Sequence, residues 1–172
     1  MDGCASLEVW LIGDEGMLGI SVILGVDVSA PQALVQGAGP ALGIGAAPFR
    51  RELGLRPALQ RVLKRYLHVV MGQLAQTSAC TRFHVVEARF ARWVPMMPDR
   101  VHSDGFYVTH EFFVYILGVR RVGVTKAATS LKNRKLISYI RGNITVLNRV
   151  GLQAASCGCY EADRGSYART MG

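Results

Sequence analysis

Eight basic side chains fall between residues 112 and 160: Arg120, Arg121, Lys126, Lys132, Arg134, Lys135, Arg141 and Arg149. No Asp or Glu interrupts them. Guanidinium and ammonium groups gathered on one module are the electrostatic footprint of a polyanion-binding surface. Arg adds a planar fork that bridges two acceptors at once. The chain of 172 residues has a formal net charge of +8, but the charge is divided sharply along it. Residues 1–49 hold Asp2, Glu8, Asp14, Glu15 and Asp27 and no Lys or Arg. All 20 basic groups and the other acids lie in the remaining 123 residues.

Other chemistry is sparse. Cys157-x-Cys159 offers two soft ligands, half a metal site at best, and His68, His84, His102 and His110 show no metal spacing with them. With Cys4 and Cys80 the thiols are too few and too scattered for a disulfide framework. A redox or metal role for Cys157 and Cys159 stays open; no metal ligand set and no cofactor is expected. Gly13-x-x-Gly16-x-x-Gly19 matches no phosphate loop, and no Ser-His-Asp or paired-carboxylate arrangement emerges. The chain does not read as an enzyme. Its apolar runs fall short of the ~20 residues a membrane span needs, and a secretory leader would open with positive charge. A cytoplasmic protein with reduced thiols is expected.

The basic residues must be positioned by the elements around them. Phe106-Tyr107-Val108 is a β-type run, Thr109 a candidate N-cap, and Glu111 an acid suited to a first helical turn. A helix over 109–117 closes at Gly118, and a second spans Arg121–Arg134 with Val124, Ala127, Ala128 and Leu131 inward. Helix, tight Gly turn and helix form the helix-turn-helix pattern. Residues 121, 122, 125, 126 and 129 share the face opposite Val124, Ala128 and Leu131. Leu136–Ile140 and Asn143–Leu147, joined by Arg141-Gly142, read as a hairpin, which makes the unit a winged helix.

Upstream, Val86, Phe90 and Trp93 line one face of a helix that Pro95 should kink or stop. From Pro57, a suitable first helical residue, Leu59, Leu63, Tyr66, Val70 and Leu74 form an apolar stripe. Val62, Leu67, Val69 and Met71 widen it. A helix this apolar must bury two sides, and a symmetric partner helix is the simplest cover for the second. Thr81–His84 should interrupt it, and Asp99–Gly105 is a polar connection. Residues 7–45, with Gly13-Asp14, Gly16, Gly25 and Pro31 as turn signals, predict three or four short strands.

The segments Thr109-His110-Glu111-Phe112, Leu117-Gly118-Val119-Arg120-Arg121, Val124-Thr125, Leu136-Ile137-Ser138-Tyr139 and Arg141-Gly142-Asn143-Ile144-Thr145 together resemble the C-terminal domain of Crp/Fnr transcription regulators. Val86–Trp93 looks like that family's linker helix, residues 57–80 like its dimerisation helix, and Leu11–Gly19 like the end of its cyclic-nucleotide-binding-like β-roll. The resemblance implies an α+β fold with a partial N-terminal β-roll (1–50), a long dimerisation helix and hinge (51–84) and a winged helix-turn-helix (85–172). It implies a homodimer that binds double-stranded DNA near a promoter, with RNA polymerase as a further partner. Arg121 and Lys126 would face bases or phosphates and Val122 a thymine methyl. Thr125 would take either role, and Arg120 and Arg141 would position the backbone.

The sequence also departs from the family. Arg120 stands where a capping Ser or Thr is common, and Val122 where an acid often follows the recognition Arg. Gly123 weakens the helix by ~1 kcal/mol. The phosphate- and ribose-binding residues of a cyclic-nucleotide pocket are replaced by Gly19-Ile20 and Ser29-Ala30-Pro31-Gln32, so cyclic AMP is not an expected ligand. By the same resemblance, the roll is expected to lack its N-terminal strands. A different class of function, a shortened paralogue that pairs with a full-length relative and binds little DNA alone, is the alternative.

Overall fold

A computed structural model describes residues 10–14, 16–35, 39–98 and 105–172. Cys4, Glu15, His102 and the expected connection from Asp99 up to Gly105 lie outside them. The helices are α1 (Ala46–Leu55), α2 (Pro57–Phe83), α3 (Val86–Met96), α4 (His110–Leu117), α5 (Arg121–Asn133), α6 (Arg149–Ala155) and α7 (Cys159–Met171). The strands are β1 (Gly105–Tyr107), β2 (Ile137–Ile140) and β3 (Asn143–Val146), in the antiparallel order β1-β3-β2.

The C-terminal half is built around α3. Phe90, Ala91 and Val94 are fully enclosed, and Trp93 meets Phe106, Phe112 and Phe113 edge-on. Aromatic pairs in this arrangement add to the burial energy of their rings. Leu131, Ile137, Ile144 and Leu152 close the same core from α5, the sheet and α6. Pro95 is carried inside α3, without the early stop expected before it, and the helix ends one residue later at Met96.

Local chemistry sets the units around that core. The Thr109 hydroxyl accepts a bond from the Phe112 N–H at 3.1 Å, and Gly118 ends α4 at φ 59°. The end of α5 is a Schellman turn in which Leu136 N–H reaches Leu131 O and Lys135 N–H reaches Lys132 O. Lys135 takes the left-handed position at φ 55°. Ile140 pairs with Asn143 across a two-residue turn in which Arg141 (φ 48°) and Gly142 (φ 87°) both lie left-handed, the type I′ geometry that suits strand twist.

The strands expected over residues 7–45 do not form among the described residues. That segment holds a 3₁₀ turn at Ile20–Leu24, and its backbone bonds, such as Val22 to Gly19 and Val26 to Ser21, are local. A ladder needs a second strand to satisfy its N–H and C=O groups, and these short runs supply none. The α+β class therefore rests on the C-terminal sheet. The N-terminal segment packs on α2 instead, where the Tyr66 hydroxyl accepts from Met17 N–H at 3.1 Å. Helix α2 runs unbroken from Pro57 through Phe83, past the interruption expected at Thr81, and α7 lies along it. Among the described residues no helix is long and apolar enough to cross a membrane.

Candidate nucleic-acid interface

Helix α5 is amphipathic in the expected sense. Val124, Ala127, Ala128 and Leu131 are buried, while Arg121, Val122, Thr125, Lys126 and Thr129 are exposed. Val122 is 60% exposed, an apolar group left in water beside two cations. Arg120 is the N-cap. Its backbone is extended and its carbonyl accepts from Gly123 N–H at 2.9 Å, but its side chain makes no capping bond. The first turn is thus left without a side-chain cap. The Thr125 hydroxyl donates back to Arg121 O at 3.1 Å. Arg141 is exposed at the tip of the β2–β3 hairpin.

His110 ties this helix to the hairpin. Its Nδ1 lies 3.4 Å from Thr125 Oγ1, and its ring lies tilted against that of Tyr139 of β2, 4.9 Å between centroids. Burial, and then the Arg121 guanidinium, lowers the imidazole pKa. The Tyr139 hydroxyl donates to Val108 O at 2.9 Å, and burial pushes its pKa up to about 12, so it remains a neutral donor.

The apolar stripe of α2 is placed differently from a free dimer seam. Tyr66 and Val70 are buried within the chain, and Leu59, Leu63 and Leu74 are half-buried. Val62 and Met71 on the same helix stay exposed. The opposite surface of α2 presents Arg61, Arg65, His68 and Arg82 to solvent.

A second constellation was missed by reading the sequence pair by pair. Cys80 and His84, one helical turn apart at the end of α2, meet Cys157 and Cys159 at the start of α7. The four ligand atoms lie within 4.8 Å of one another. The Cys80 and Cys157 sulfurs are 3.5 Å apart, and His84 Nδ1 is 3.7 Å from Cys159 Sγ. The bond from Cys157 holds the Cys80 thiol down to about 4 despite its burial, and the same bond pushes Cys157 above the usual thiol range. The usable signal was Cys80-x-x-x-His84, an i,i+4 pair that shares one helix face. Spacing to Cys157 says nothing across 77 residues.

Helices on a small antiparallel sheet, with a helix–Gly turn–helix unit and a following hairpin, define an α+β fold. Among solved structures, a chain assigned to the Crp/Fnr transcriptional regulators of Eubacterium rectale is similar over 64% of this chain and 51% of its own. The TM-score is 0.51 and the identity 15%. A CRP-family transcriptional regulator from Thermus thermophilus is 21% identical over 55% of this chain and 51% of its own, with a TM-score of 0.48. The chain thus spans about half the length of each. No family model matches the sequence, and no curated protein does.

Proposed function

We propose that this chain is a sequence-specific, double-stranded-DNA-binding transcription regulator that works as a homodimer and sets α5 of each copy in the major groove. The observation that carries this reading is α5 itself. It is buried along Val124, Ala127, Ala128 and Leu131, and it presents Arg121, Val122, Thr125 and Lys126 together on its open face. A helix held on one side by a core and open on a basic side fits a groove about 12 Å wide. Arg121 reads guanine O6 and N7, Val122 meets a thymine methyl, and Lys126 and Thr125 serve base or phosphate. Arg120 and the wing residue Arg141 hold phosphates.

Residues 85–172 form the DNA-reading unit in this scheme. Residues 51–84 form the dimerisation helix and hinge, through the half-open edge at Leu59, Leu63 and Leu74 together with Val62. Contact with RNA polymerase would convert binding into regulation, in the cytoplasm where the promoter lies.

The test is selection from a randomised DNA pool by the purified chain, followed by titration of selected and scrambled sites at two salt concentrations. A two-fold symmetric site with half-sites about one helical turn apart supports the reading. Affinity should fall steeply with salt, because each neutralised phosphate releases counterion. Sequence-blind binding alone would overturn it and direct attention to a heterodimer partner.

A further inference from the structure

Cys80, His84, Cys157 and Cys159 converge from two elements far apart in sequence, and nothing in the DNA-binding scheme uses them. Cys80, Cys157 and Cys159 are 2%, 7% and 3% exposed, while His84 sits at the rim and is open to solvent. Three soft sulfurs and one imidazole nitrogen are a donor set that divalent thiophilic ions prefer. With zinc–sulfur bonds of about 2.3 Å and zinc–nitrogen bonds of about 2.0 Å, the edges of a tetrahedron are roughly 3.5–3.8 Å. The Cys80–Cys157 sulfur–sulfur distance of 3.5 Å and the Cys159–His84 sulfur–nitrogen distance of 3.7 Å match such edges, and the whole set, within 4.8 Å, closes onto one ion with small side-chain shifts.

The surroundings make a second, independent argument. Arg89 and Arg92 are both buried beside the sulfurs at 8% exposure. Asp163 pairs with Arg92 at 2.5 Å. Arg89 donates to Leu117 O and to Thr81 Oγ1, and among the described residues no carboxylate meets it. Two buried cations against one carboxylate leave a positive charge where an uncompensated one is costly. Three thiolates around a divalent ion carry one negative charge, which is the missing balance. Gln76 Nε2 donates to Cys159 Sγ at 2.9 Å, the outer hydrogen bond that orients a ligating thiolate. Cys159 opens the 13-residue helix α7, whose N-terminal dipole favours a thiolate there.

We propose that Cys80, His84, Cys157 and Cys159 form a four-ligand structural site for one thiophilic divalent cation of the zinc class, clamping the start of α7 to the end of α2. Binding exchanges the thiol protons for the metal, with no change of oxidation state. All four positions are filled by protein ligands, so the ion is closed to substrate and its role is to hold the two helices together.

The site is tested by titrating the reduced full-length chain anaerobically with Co²⁺ and then displacing it with Zn²⁺. One equivalent per chain is expected, with thiolate-to-cobalt charge transfer and the intense visible bands of a tetrahedral ion, lost on adding Zn²⁺. Cys159→Ser should reduce the charge transfer, and Gln76→Ala should weaken binding ~10-fold or more. His84→Ala lies at the exposed rim and does not disturb the core. It should keep three-thiolate charge transfer, shift the visible bands and bind more weakly, which decides the matter even where a cysteine variant fails to fold. Absence of charge transfer in the reduced chain would overturn the site, as would binding indifferent to His84→Ala and Cys159→Ser. So would a Cys80–Cys157 disulfide whose reduction leaves no Co²⁺ binding.

Discussion

The imidazole of His110 stands between the hydroxyl of Thr125, 3.4 Å from its Nδ1, and the ring of Tyr139, 4.9 Å away. One side chain of α4 thereby fixes how α5 sits against the hairpin. Burial and the neighbouring Arg121 hold its pKa below the ordinary 6.5. The unfolded chain therefore takes up a proton that the folded chain resists. The stability that neutral His110 contributes is complete above 6.5 and is lost as the pH falls through that value toward the lowered one. Urea unfolding on both sides of 6.5 should show this loss in the parent chain and a smaller one in His110→Gln. Parallel losses in the two would assign the pH dependence elsewhere.

In the proposed scheme, base reading and phosphate holding separate on α5. Arg121→Ala should cost ~1–3 kcal/mol on a selected DNA site and little on a scrambled one. Lys126→Ala, if it removes a phosphate contact, weakens both alike and reduces the salt slope by about one. Equal losses on both sites for Arg121→Ala would remove it from base reading.

The hairpin tip joins strain to exposure. A Cβ on Gly142 would stand 2.6 Å from the Tyr107 ring, and its φ is 87°. Gly142→Ala should therefore destabilise the chain by about 1–3 kcal/mol. Arg141, also left-handed, behaves oppositely. Arg141→Gly relieves ~1 kcal/mol of backbone strain yet should weaken DNA binding uniformly. Denaturant midpoints and DNA titration read the two effects apart.

Gly123 lies on the half-buried side of α5, where a Cβ would meet Val119 and Val86 at 3.8–3.9 Å, an ordinary contact. Gly123→Ala should raise stability by ~0.5–1 kcal/mol and leave the selected site and its affinity unchanged. A large loss of specific binding would show that DNA approaches the backbone at this point.

The ion pair between Arg92 and Asp163 has side chains only 10% and 12% exposed. Removing one partner from such a pair typically costs ~3–5 kcal/mol, because the other charge stays buried. Asp163→Asn should lower the urea midpoint accordingly, and the double change Arg92→Met with Asp163→Asn should recover part of the loss. No recovery would mean that Arg92 is needed for more than its pairing with Asp163.

The C-terminal elements were legible because their signals are local. Thr109 caps at three residues' reach, Gly118 ends a helix by its own backbone, and Arg141-Gly142 sets a turn between adjacent runs. The face of α5 follows from its period alone. The N-terminal strands were misread because a strand depends on a neighbour that the pattern of one run cannot reveal. The burial of Arg89 and Arg92 has no local signal. Their burial depends on Leu117 O, 28 residues on, and Asp163, 71 residues on from Arg92. The four metal-type ligands were invisible as a set for the same reason, although Cys80 and His84 lay one helical turn apart and Cys157 and Cys159 two residues apart.

The packing of α7 on α2 has a consequence for the order of events at the ribosome. Cys157 is made 77 residues after Cys80, on the order of ten seconds at ordinary rates of synthesis. Between the emergence of α2 and that of α7, the α2 surface later covered by α7 is still bare. Contacts of such long sequence separation also form slowly. The nascent chain therefore carries that side of α2 unshielded for seconds, a window in which a chaperone, or a sister chain on the same polysome, reaches α2 before its own seventh helix does.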